Sequence, residues 1–255
     1  MVVVEERQVG DITAIHVVKQ SLKNVRLPLV VFEHGFKSFK EKNLHYGFLL
    51  AKKGFRVVLP CAVYHGERQQ GLTDMEMDFH FWDIVLRSID ELAKIKESFE
   101  KQGLIDNGRI GVAGTSMGGL VTLGALTKYP WIKVAVSLMG MPAFTKFFHR
   151  QLAGLKQQGI ELPMSEKELE FISGNIAAVD LSMQPEKLDG RPLLFWHGKL
   201  DQTVPFDLAY DFYEQTKPLY ADHPEKLAFI VDEEAGHAVS REAVYKLVEW
   251  FEKYL

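Results

Sequence analysis

The chain has 255 residues, 47% of them hydrophobic and 25% charged, with a formal net charge of −4; this size and balance suit one α/β domain with a large buried core. So small a negative charge offers no broad basic surface, and neither nucleic acid nor an anionic membrane is expected as a partner. A single cysteine, Cys61, excludes an internal disulfide, and Glu5 and Glu6 stand where a secretory leader needs a basic start, so the expected setting is cytoplasmic.

In chain order, residues 2 to 18, broken by Gly10-Asp11, predict an antiparallel hairpin. Leu29-Val30-Val31-Phe32 is a short apolar run of buried-strand type that leads into Glu33-His34-Gly35-Phe36. Residues 44 to 53 predict a helix closed by Gly54, and Phe55 to Leu59 the next strand, with Cys61 just beyond it as a packed thiol. A long helix is predicted over about 74 to 101. Thr73 and Glu76 form its capping box, and Phe81, Val85, Ile89, Leu92, Ile95 and Phe99 make a core stripe at three- and four-residue steps.

Arg109 to Ala113 then reads as a strand, Leu120 to Leu126 as a helix, and Ile132 to Leu138 as another strand. The uncharged stretch from Ile110 to Thr127 approaches membrane-spanning length, but its glycines, serine and threonines fit strand, turn and helix instead. From Met141 to Gly190 the alternation breaks. Phe144, Phe147, Phe148, Leu152 and Leu155 have helical spacing, and Ser165 with Glu168 marks a second helix start, so a small helical cap inserted at about 141–190 is expected within a single domain of 1–255. Pro192 to Trp196 and Leu227 to Val231 are further strands, and a last amphipathic helix carries Val244, Leu247, Val248 and Phe251. Fully apolar strands alternating with helices predict an α/β fold whose mostly parallel, doubly wound sheet is covered on both faces.

Gly114-Thr115-Ser116-Met117-Gly118 occupies a very tight turn between a strand and a helix, which is the setting of a nucleophile elbow. Small residues on both sides let neighbouring backbone pass close while the serine is raised above the sheet edge. A serine hydroxyl is a poor nucleophile at neutral pH. It needs an imidazole to take its proton and a carboxylate to orient that imidazole. His237 ends the loop after the strand at Leu227, and Asp201 is the first carboxylate after the strand at Leu193; Asp207 and Asp232 are the alternative acids. The Phe36 and Met117 amides are placed to form an oxyanion hole, and Phe144, Phe147 and Phe148 of the cap are candidates for a substrate pocket. His34, His197 and the turn His65-Gly66-Glu67-Arg68 are read as loop-stabilising.

Together, His34-Gly35-Phe36, Gly114 to Gly119, His197-Gly198 through Asp201 with Val204-Pro205, and Gly236-His237 resemble the α/β-hydrolase superfamily. The nearest likeness is to small bacterial serine esterases of the dienelactone-hydrolase and prolyl-oligopeptidase branch. The likeness runs from about Leu29 to the C-terminus. Two departures stand out: dienelactone hydrolases carry cysteine in the elbow where this chain has Ser116, and the peptidases carry a large extra domain. The resemblance implies a carboxylesterase that forms an acyl-enzyme on Ser116 and acts on small esters, and Phe36 with the cap phenylalanines favours short or medium acyl chains over charged substrates. A thioesterase, lactonase, small-peptide hydrolase or acyltransferase would use the same groups, and a non-catalytic binding module would keep only the shell. No cofactor is expected: Leu120-Val121 follows the glycine turn where a phosphate loop needs lysine and a hydroxyl residue. No metal is expected either, since the histidines lack ligand spacing. The oligomeric state is left open.

Overall fold

A computed structural model describes residues 1–160 and 163–255. Its eight described strands form one sheet in the order β1-β2-β4-β3-β5-β6-β7-β8. These are β1 (Val2–Val9), β2 (Ile12–Lys19), β3 (Leu27–Glu33), β4 (Arg56–Pro60), β5 (Ile105–Thr115), β6 (Val134–Leu138), β7 (Leu193–Gly198) and β8 (Leu227–Asp232). The hairpin of β1 and β2 is antiparallel and joins β4 antiparallel, and every other pairing is parallel. This is the α/β fold that the alternation of strands and helices predicts.

Helices cover both faces because each strand sends alternate side chains to opposite sides. On β3, Leu29 and Val31 face one core, while Val30 and Phe32 face the other. The first core is closed by α3 (Phe81–Lys101), α4 (Met117–Lys128) and α7 (Phe206–Thr216). The second is closed by α1 (Leu44–Lys52) and α8 (Arg241–Tyr254), whose Leu247 and Phe251 are wholly buried.

Several boundaries differ from the sequence expectation. The helix expected over 74–101 is broken: α2 (Asp74–Phe79) stops at His80 and α3 starts at Phe81, although the Thr73–Glu76 capping box is present. The elbow strand begins at Ile105 and not Arg109, because Leu27 pairs with Ile105 across a register shift before the regular ladder resumes at Leu29 and Ile110. His197 and Gly198 lie inside β7 and not in the turn beyond it.

Between β6 and β7 lie α5 (Phe144–Gln157) and α6 (Glu166–Ala178), the latter capped by Ser165 and Glu168. The two ends of this segment are tied at its base by the buried carboxylate of Asp180. One oxygen accepts the Thr145 amide at 2.8 Å, where the N-terminal turn of α5 exposes free N–H groups, and the other accepts the Ser182 amide at 2.9 Å. Phe144 is a correction to the expected pocket. It is fully buried, fills the space left by Gly124 of α4 and packs on Trp82.

Candidate active site

The turn from β5 into α4 has almost no room. A Cβ on Gly118 would lie 2.2 Å from the Glu33 carbonyl oxygen, and one on Gly114 would lie 2.4 Å from the Gly118 carbonyl, so glycine at both places is a steric requirement. Ser116 between them sits at φ 54° and ψ −117°. Lys37, Tyr64 and Met139 also have positive φ, and each follows the C-terminal end of a strand, β3, β4 or β6, beside β5 or one strand removed. Backbone strain thus gathers along the crevice at the carboxyl ends of the strands, where open α/β sheets place their sites.

The three side chains predicted to converge are brought together. His237 Nε2 lies 2.9 Å from Ser116 Oγ, and His237 Nδ1 lies 2.7 Å from Asp201 Oδ2. An Nδ1–H tautomer satisfies both contacts: the ring donates to the carboxylate and accepts from the serine hydroxyl. Gly198 makes this approach possible, since a Cβ there would lie 2.4 Å from the carbonyl oxygens of both Ala235 and Gly236, the residues that deliver His237. The alternative acids are placed elsewhere. Asp207 pairs with Arg150 on the surface, and Asp232 accepts the Ala235 amide at 3.1 Å within its own loop.

The Asp201 side chain is fully buried. Burial would raise its pKa, but hydrogen bonds from His197, His237 and the Val204 amide outweigh it and hold the carboxyl well below the usual carboxylate range. Oδ1 accepts the Thr203 and Val204 amides at 2.8 and 3.0 Å. Oδ2 serves His237 and also His197, whose Nε2 is 3.2 Å away and 3.1 Å from the Val204 carbonyl. Nothing in the sequence reading connects His197 to the acid. The only available signal is the four-residue step from His197 to Asp201, which becomes informative once His197 is known to close a strand.

Opposite the serine, the loop after β3 runs against the elbow: a methyl on Gly35 would lie 3.6 Å from Ser116 Cβ. The loop that carries Phe36 therefore borders the elbow, where Met117, the first residue of α4, presents an N–H with no intrahelical acceptor. Two neutral histidines fix the loop. His34 donates from Nδ1 to the Gly35 carbonyl and accepts the Ala62 amide at Nε2, and His65 donates to the Val63 carbonyl and accepts the Lys37 amide. Burial lowers both, His34 to about 4. Cys61 is no rival nucleophile, since burial pushes its thiol up to about 11.

His16 on β2 behaves like His34. Burial first, with the Arg56 charge, lowers it to about 4 against the opposing hydrogen bond to Glu5. An imidazole held neutral in the fold binds its proton first in the unfolded chain. The stability due to these two histidines is therefore complete above about pH 6.5 and is lost as the pH falls toward 4. At pH 5 the loss is about 2 kcal/mol for each. Urea midpoints should drop steeply between pH 7 and pH 5, and a midpoint unchanged over that interval contradicts neutral burial of His16 and His34.

Among the described residues, no helix is long and apolar enough to cross a membrane, and no group of three or more His, Cys, Asp or Glu side chains is gathered to hold a metal ion. A family model described as the prolyl oligopeptidase family matches residues 71–255. The chain belongs to that family. Over all 255 residues it is 51% identical to the Bacillus subtilis (strain 168) protein named "Putative esterase YitV" and 28% identical to "Esterase YjfP" of Escherichia coli (strain K12), covering the full length of both. The crystal structure of TT1662 from Thermus thermophilus superimposes with a TM-score of 0.74 at 20% identity, covering 99% of this chain and 98% of that one. This family member is an α/β-hydrolase, and the esterase-type reading of its sequence agrees with its relatives.

Proposed function

We propose that Ser116, His237 and Asp201 are the catalytic triad of a carboxylesterase, with the Phe36 and Met117 amides as its oxyanion hole. The observation that carries this reading is the unbroken pair of hydrogen bonds, 2.9 Å from Ser116 to His237 and 2.7 Å from His237 to Asp201, in a strained strand-to-helix turn. In the first step His237 takes the serine proton as Oγ attacks the ester carbonyl, and the negative charge on the carbonyl oxygen passes to the two amides. Asp201, held ionised by its four hydrogen bonds, stabilises the imidazolium. His237 then gives its proton to the departing alcohol. Water, activated by the same imidazole, attacks the acyl-enzyme and releases the acid.

The segment 141–190 serves as a cap beside this crevice, and the substrates are small neutral esters. The test is a fluorophosphonate probe followed by peptide mass spectrometry. Labelling at Ser116 with loss of hydrolysis is expected; a folded protein that hydrolyses esters while Ser116 stays unlabelled refutes the assignment. An acyl-donor panel of esters, thioesters, lactones and aminoacyl amides ranks the ester reading against its relatives, with kcat/KM expected to be highest for esters.

A further inference from the structure

One large cavity does not touch the triad. It has a volume of about 550 Å³ and lies between the start of α3 and the helices α5 and α6. That volume is within the range of sites for small organic molecules. Its walls are mainly Trp82, Leu86, Phe148, Leu152, Leu155 and Ile172. Phe148 is the one member of the expected phenylalanine pocket that reaches it.

Three of the polar groups at its edge are already committed. Gln151 accepts the Trp82 indole N–H at 2.8 Å, Asp78 pairs with Lys37 at 2.8 Å and Asp83 with Arg87 at 3.0 Å. Among the described lining residues there is no lysine or arginine. An occupant therefore gains mainly by burying hydrocarbon, and a carboxylate in this cavity would face Asp78 and Asp83 with no lysine or arginine in the lining, His80 being the one basic side chain there.

A line of ring contacts leads from the proposed site to this cavity. The Phe36 ring, on the residue whose amide faces the oxyanion, packs edge-on against Phe81 at 5.2 Å. Phe81 in turn packs on Trp82 at 5.3 Å, and Trp82 is the cavity wall.

We infer that this cavity receives the hydrocarbon arm of the ester while Ser116 attacks its carbonyl, so that the enzyme selects neutral esters with a medium-length chain. The inference rests on the catalytic reading above. Gly154 on α5 gives a clean test, because it lines the cavity and a Cβ there meets nothing within 4 Å. Gly154→Leu fills the space and also favours the helix.

With p-nitrophenyl esters from acetyl to dodecanoyl, kcat/KM of the wild type should be flat for the shortest chains. It should then rise roughly fourfold for each methylene that enters the cavity, and fall again when the space is full. Gly154→Leu should cut octanoyl turnover tenfold or more while acetyl turnover stays within twofold. Equal effects on acetyl and octanoyl esters, or none on either, overturn the inference.

Binding of 1-decanol to Ser116→Ala protein, followed calorimetrically, separates the two readings. Decanol affinity should fall tenfold or more in the Ser116→Ala, Gly154→Leu double variant, and decanoate should bind more weakly than decanol. Decanol binding that ignores Gly154→Leu overturns the cavity inference even where ester hydrolysis at Ser116 stands. Decanol binding that obeys it, in a protein that turns over no ester, overturns the catalytic reading and with it the role of the cavity as a substrate arm site.

Discussion

Ser116→Ala is expected to lower kcat/KM for a good ester by about four to six powers of ten while the fold is retained. In the proposed mechanism the hydroxyl is the attacking group, and no other nucleophile among the described residues is poised to replace it. Cys61 is buried with its thiol protonated, donating to the His65 carbonyl. On the proposed mechanism, water attack assisted by His237 and the two amides survives and gives a residual rate above the uncatalysed one. The fold has little to lose. Although Ser116 precedes α4, its side chain makes no capping hydrogen bond to that helix, and its only side-chain partner is His237. The left-handed backbone at φ 54° is strained for alanine as it is for serine. Melting temperature and turnover should therefore separate, with the first nearly unchanged and the second almost abolished. Hydrolysis within tenfold of wild type by a folded Ser116→Ala protein would remove the acyl-enzyme from the mechanism.

The sequence discloses most where local chemistry decides the structure. The Thr73–Glu76 and Ser165–Glu168 capping boxes form as their spacing requires, and Gly54 closes α1 at φ 101°. The tight turn around Ser116 was legible because two glycines flank a serine between an apolar strand and an apolar helix. Loops that follow β7 and β8 could carry their acid and base to one place only if those strands were neighbours, as they are. What stayed hidden depends on tertiary packing. No glycine or proline marks the break at His80, which is made where α2 ends and α3 turns Phe81 toward Phe36. Phe144 and Phe148 look alike in a helical stripe, yet one fills the space above Gly124 and the other reaches a cavity. The second histidine on Asp201 was invisible for a related reason: His197 reads as a loop residue until the ladder with β8 extends through His197↔Val231 and Gly198↔Asp232.

That second histidine sharpens the expectation for Asp201→Asn, which should reduce kcat by about 10⁴-fold. Four donors converge on the carboxylate: the Thr203 and Val204 amides on Oδ1, and His237 and His197 on Oδ2. Asparagine has one oxygen to offer. If that oxygen stays on the two amides, its NH₂ group faces both imidazoles. His237 must then present an unprotonated Nδ1 and carry its proton on Nε2, where it donates to Ser116 and can no longer take the serine proton. His197 keeps its Nε2 proton on the Val204 carbonyl, 3.1 Å away, so the NH₂ group is also pressed against a second donor. If the amide flips, its NH₂ group points at two backbone N–H donors, which costs hydrogen bonds in a fully buried position. The first orientation leaves the base in the wrong tautomer; the second keeps the Nδ1–H tautomer but removes the charge that stabilises the imidazolium and strains the loop that holds it. Asp232→Asn provides the contrast: Asp232 Oδ1 accepts the Glu234 and Ala235 amides, which an asparagine oxygen can do equally well, so kcat should stay within tenfold of wild type. Parallel kcat measurements on the two folded variants decide between the acids. A crippled Asp232→Asn beside an active Asp201→Asn would transfer the role of third triad member from β7 to β8.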